Sequence, residues 1–71
     1  MRINGDAIRA ARKAKGMSRE QLAVHVGVSY ATIGNAERGE TDTAAGTAWL
    51  IAETLGVSIQ SLFVDEPEAV A

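Results

Sequence analysis

The 71 residues carry a net charge of −2 and no cysteine, which fits one small domain and excludes a disulfide framework, a thiolate metal site and a cysteine nucleophile. Thirteen residues are Ala and the only aromatics are Tyr30, Trp49 and Phe63, so the core is thin and leaves little room for a substrate cavity of usual size. The charge is split along the chain: residues 1–39 hold all seven basic side chains against three acidic ones, net +4, whereas residues 40–71 hold six acids and no base, so one surface suits an anionic partner and the other does not.

Apolar residues recur at three- and four-residue spacing between recognisable caps, predicting four helices and a short fifth, and no alternating strand pattern appears. The first helix is predicted from an Asn4 cap to Lys15, with Ile8 and Ala11 inward and Gly16 in a left-handed terminal position. The second starts at Ser18, whose spacing to Gln21 is that of a capping box, carries Leu22, Ala23 and Val26 inward, and stops at Gly27. After Val28, Ser29 caps a third helix reaching Arg38, with Ile33 and Ala36 inward and Gly39 as its stop. A polar loop follows from Glu40 to Thr43. The fourth helix spans about Ala44 to Leu55 with Ala48, Ile51, Ala52 and Leu55 inward, Gly56 ends it, and Ser58 caps a short fifth helix holding Ile59, Leu62 and Phe63. Residues 1–64 form the expected domain, and 65–71, with Pro67 and three acids, read as an acidic flexible tail.

Residues 18–38 carry the most information. Two short helices are joined by a turn of about three residues, with small Ala23 where they meet, Gly27 free to take a positive φ, and Leu22, Val26, Val28, Ile33 and Ala36 forming a shared seam. Together with Ile8 to Ser18, Glu20-Gln21-Leu22-Ala23, Gly27-Val28-Ser29, Thr32-Ile33, Glu37-Arg38-Gly39, and Ile51 to Ser58 through Leu62-Phe63, this pattern resembles the lambda repressor-like, Cro-like helix-turn-helix regulators over residues 5–63 without a gap. The resemblance implies an all-α, five-helix domain that binds double-stranded DNA as a bacterial or phage transcriptional regulator, a repressor in the first instance. In that family the third helix enters the major groove, usually as a homodimer on a two-fold related operator.

On a helical wheel, Ile33, Ala36 and Glu37 of the third helix fall inward, and Ala31, Gly34, Asn35 and Arg38 fall outward, with Tyr30 at its start. Asn35 is the candidate adenine reader, because an amide donates to and accepts from that base edge together. Tyr30 is a candidate for a base or phosphate, Ala31 for a thymine methyl, and Arg38 for a phosphate or a guanine. Gly34 costs roughly 1 kcal/mol relative to Ala in a helix, which close approach of backbone to DNA would offset. Ser18, Arg19, Ser29 and Thr32 complete the phosphate candidates. Arg19 sits in the first turn of its helix, where a cation opposes the macrodipole, so an external anion rationalises it.

Arg12 and Glu37 both project toward apolar faces, where a lone charge is costly, and are expected to pair, as the family resemblance also implies. The pair would orient the first helix against the third. His25 has no partner at metal-ligand spacing and is expected as a surface or half-buried residue of the second helix. Leu50 faces away from the fourth helix's core stripe and Trp49 lies at its edge, so the two are candidates for a dimer contact, with closure of the domain's own core as the other reading of Trp49.

No metal or cofactor is expected, and with one histidine, no cysteine and no phosphate-cradling glycine loop an enzyme is not expected. The acidic second half and the acids Glu40 and Asp42 motivate an alternative, a helix-turn-helix protein-interaction module of antirepressor or antitoxin kind. Neither a signal peptide nor a membrane-spanning run is legible, so a cytoplasmic, nucleoid-associated protein is expected, with no membrane partner or small-molecule effector evident.

Overall fold

The computed structural model describes residues 2–39 and 45–64. The loop expected at Glu40 to Thr43, the proposed start of the fourth helix at Ala44 and the tail at 65–71 lie outside the described residues. In chain order the elements are strand β1 (Arg2–Ile3), helices α1 (Gly5–Ala14), α2 (Arg19–Val26), α3 (Tyr30–Arg38) and α4 (Ala45–Leu55), a single-turn 3-10 helix (Ile59–Leu62) and strand β2 (Phe63–Val64).

Local chemistry sets the helix ends. Asn4 accepts the Ala7 amide at 3.2 Å through its side chain and so caps α1. At α2 the capping box is complete: the Gln21 amide donates to Ser18 Oγ at 3.0 Å, and the Ser18 amide donates to Gln21 Oε1 at 2.8 Å. Ser29 Oγ accepts the Thr32 amide at 3.1 Å and starts α3. Between α2 and α3, Gly27 adopts φ +86°, a left-handed conformation that a side chain disfavours, so the chain reverses within three residues.

Two expectations at the C-terminal end are corrected. The fifth helix is one 3-10 turn rather than an α-helix, and Ser58 makes no side-chain cap there; its carbonyl instead accepts the Ser61 amide at 3.1 Å and the Ser61 hydroxyl at 2.7 Å. Phe63, read as helical, belongs to β2, which pairs antiparallel with β1 so that Ile3 faces Phe63 and Arg2 faces Val64. Two residues are too few to display an alternating pattern, and the pairing joins segments 60 residues apart in sequence, which periodicity cannot report.

The core holds Ile3, Ile8, Leu22, Ala23, Val26, Ile33, Ala36, Ala48, Ile51, Ala52, Leu55 and Leu62. Each α-helix contributes to it, and α3 is gripped from two sides, by α2 and by α1. Gly5 opens α1 directly against the end of α3: a β-carbon at this position would overlap the carbonyls of Ala36 and Glu37. That close approach puts the positive end of the α1 dipole against carbonyls at the end of α3. Among the described residues no helix is long and apolar enough to cross a membrane.

Candidate nucleic-acid interface

Packing one side of α3 into the core leaves the opposite side outside. Ile33, Ala36 and Glu37 are buried, while Tyr30, Ala31, Thr32 and Arg38 are exposed and Asn35 is half-buried. Gly34 departs from this division. Although it was expected on the outward face, it is buried, and the atoms that a β-carbon there would meet all belong to the Arg38 guanidinium. The Arg38 side chain folds back over it and donates from Nη2 to Asn35 Oδ1 at 2.6 Å. At the start of the helix, Ser29 and Thr32 join their hydroxyls at 2.9 Å.

Beneath this face lies an ionic cluster centred on Glu37, whose side chain is fully enclosed. Arg12 donates from Nε to Glu37 Oε2 at 2.7 Å and from Nη2 to Oε1 at 3.3 Å, and its Nη1 holds the Met17 carbonyl at 2.8 Å. Arg12 thus ties α1 both to α3 and to the chain entering α2. Arg19 does not simply face outward as expected. Its Nε donates to Glu37 Oε1 at 3.0 Å, which leaves its side chain 31% exposed. The macrodipole argument proposed an anion for Arg19, and the anion found beside it is internal.

Arg9 completes the cluster, with Nε 4.0 Å from Glu37 Oε1 and Nη2 3.7 Å from Asp6 Oδ1. The Arg9 Nε is buried and makes no hydrogen bond. Neither Arg9 nor the Arg19 contact was anticipated from the sequence. The available signal was an excess of arginine over acid in residues 1–39, which shows surplus charge without showing where it converges.

Burial alone would push the Glu37 carboxyl upward, but hydrogen bonds from Arg12 and Arg19, reinforced by their charges, prevail and hold it below the ordinary carboxylate value. Arg19 is raised in turn, chiefly by its hydrogen bond to Glu37 and further by the neighbouring Tyr30. Three guanidinium groups share one carboxylate, so the cluster keeps a surplus of positive charge. That surplus borders an open cleft of about 710 Å³ lined by Arg9, Arg12, Lys13, Ser18, Arg19, Glu20 and Tyr30. Ser18 is exposed at its rim and Tyr30 links it to the start of α3. His25 is exposed on α2, and among the described residues no group of His, Asp and Glu has a metal-holding arrangement.

On α4, Trp49 is 50% exposed and Leu50 44% exposed. Trp49 therefore does not close the core, as one reading of the sequence had it; Ala48, Ile51, Ala52 and Leu55 do so without it.

Two helices of eight and nine residues cross through a glycine turn, the second of them exposing a polar face, and this unit matches a family model described as helix-turn-helix over residues 8–62. The chain belongs to the helix-turn-helix family. Among solved structures, it is similar to the restriction-modification controller protein C.AhdI from Aeromonas hydrophila, with 32% identity and a TM-score of 0.78 over 83% of this chain and 89% of that one. It is similar to the P22 c2 repressor protein in complex with a synthetic operator, with 29% identity and a TM-score of 0.82 over 93% of this chain and all of that one. It also resembles an HTH_3 family transcriptional regulator from Vibrio cholerae at 35% identity and a TM-score of 0.72, where the match covers 80% of this chain and only 32% of that longer protein. Among curated proteins, none matches. These helix-turn-helix relatives are of the lambda repressor and Cro type, as the sequence motifs implied.

Proposed function

We propose that this domain is a sequence-specific, double-stranded DNA-binding transcriptional repressor that lays α3 in the major groove and acts as a homodimer on a two-fold related operator in the bacterial cytoplasm. The observation that carries this reading is the division of α3, which is anchored by Ile33, Ala36 and Glu37 and presents Tyr30, Ala31, Asn35 and Arg38 beside a cleft rimmed by surplus arginine. In this arrangement the outward side chains meet base edges, and Ser18, Arg19, Ser29 and Thr32 hold the flanking phosphates. The described operator complex of the P22 repressor, which shares the fold over its whole length, supports the same partner for this chain. The reading gives the domain a binding role and no catalytic one.

Selection of bound duplexes from a random pool tests the proposal, and a two-fold related motif is the expected result. Arg19→Ala should then weaken binding to specific and random duplexes by a similar factor and make the logarithmic salt slope shallower by about one unit, since one phosphate contact releases about one counterion. An unaltered slope would confine Arg19 to its Glu37 contact. A parent protein that binds no DNA even at low salt would replace this reading with the protein-interaction module.

A further inference from the structure

Arg38 ends α3, yet its guanidinium lies over Gly34, one turn back, and its Nη2 reaches Asn35 Oδ1 at 2.6 Å. Glycine at position 34 is what gives the guanidinium this seat. A β-carbon there would stand 3.3 Å from Arg38 Nη1, tighter than an ordinary contact, and at an ordinary 3.9 Å from Cζ, so the guanidinium would have to give by a few tenths of an ångström. The glycine weakens the helix, and it also allows two neighbouring side chains to be held together on the outward face.

We propose that Asn35 and Arg38 form one hydrogen-bonded reader, seated on Gly34, that selects guanine. The inference rests on the placement of α3 in the major groove given above, and it changes the base assigned to Asn35. A lone asparagine matches adenine because its Oδ1 accepts from the N6 amino group while its Nδ2 donates to N7. With the guanidinium bound to Oδ1, one of that oxygen's two lone pairs is taken and a cation stands beside the place the adenine amino group would occupy, which disfavours adenine. What the joined pair offers a base edge is donors, from the amide NH2 and from the guanidinium. Guanine alone among the bases presents two acceptors, N7 and O6, on its major-groove edge.

The test is a titration of the selected duplex, and of its single-base changes, with the parent and with Asn35→Ala, Arg38→Ala, the double variant and Gly34→Ala. The parent should prefer guanine at one base pair by roughly 5- to 150-fold, the range of a good two-point contact. Asn35→Ala and Arg38→Ala should relax that same base pair, and the double variant should lose little more than the worse single one, because either change breaks the unit. Gly34→Ala should raise the unfolding midpoint by a few degrees, the usual gain for alanine over glycine inside a helix, and still relax the guanine preference. A purely structural role for Gly34 predicts no such opposition. Adenine at that position, losses that multiply, effects on different base pairs, or an intact preference in Gly34→Ala would each overturn the joint reader. If no motif is selected at all, the major-groove placement falls and the reader with it.

Discussion

Glu37 is charged inside the protein because guanidinium groups from two helices hydrogen-bond it while a third stands within 4.0 Å, and this fixes both the sign and the range of its pH response. Its folded value lies below the ordinary 4.5, so the stability it adds is fully present above that value and is lost as pH falls through the depressed folded one. Arg19 moves the other way, upward from the ordinary guanidinium value, and contributes no pH dependence in the range where proteins are handled. Removing the Glu37 charge strands Arg12, which is itself buried, and such a loss typically costs about 3 to 5 kcal/mol, a large share of the stability of a domain this size. Urea unfolding of the parent and Glu37→Gln should therefore differ most near neutral pH and converge below the ordinary carboxylate value. An equal difference at acid and neutral pH would mean that shape, and not charge, holds the cluster together. The Arg12–Glu37 contact was legible because both residues fall on apolar helix faces, where only mutual pairing removes the cost. The other two arginines were not, because Arg9 and Arg19 sit at the flanks of their helices, and a flank becomes a partner only once the crossing of α1, α2 and α3 is known.

Helix ends in this chain are written locally, and for that reason the first three α-helices could be placed from caps and glycine stops, and the end of the fourth from Gly56. Ser18 with Gln21, and Ser29 with Thr32, settle their own hydrogen bonds within three residues and need no tertiary information. The C-terminal segment follows a different rule. Its Asn4–Leu62 and β1–β2 hydrogen bonds are made to the other end of the chain, and they turn Phe63 out of the helix that its spacing to Ile59 suggested. Gly5 and Gly34 show the same contrast between local and tertiary causes. By helix propensity both should gain from alanine, but position 5 abuts the backbone of α3, whereas the nearest atoms at position 34 are the far end of the Arg38 side chain. Gly5→Ala should thus lower stability by about 1 to 3 kcal/mol, the usual cost of overpacking, and displace α1 from the end of α3. Thermal unfolding beside Gly34→Ala checks the opposite signs. A Gly5→Ala protein as stable as the parent would show that the junction is slack.

Across the whole molecule, all seven basic residues lie within residues 1–39 and six of the nine acidic ones within residues 40–71, and the helices divide accordingly. Helices α1 and α2 bring Arg9, Arg12, Lys13 and Arg19 to one cleft beside α3, while α4 has no basic residue and leaves Trp49 and Leu50 half exposed. A repressor that reads a two-fold related site needs a self-complementary contact away from the phosphates, where like charges on two copies do not oppose one another. The α4 surface fits that requirement: it carries apolar area outside the core stripe, and the core is complete without it. Leu50→Glu should therefore weaken the proposed dimer while leaving the monomer's unfolding transition unchanged, since the new charge would stay in water in the monomer and be buried only at a contact. Sedimentation at increasing protein concentration reads the association, and the same samples titrated with a full two-fold site and with one half-site read its consequence. The variant should bind the half-site as the parent does and lose the parent's advantage on the full site. A dimer that persists in Leu50→Glu would move the contact elsewhere, and a parent that is monomeric at every concentration and gains nothing from the second half-site would remove the homodimer from the proposed function.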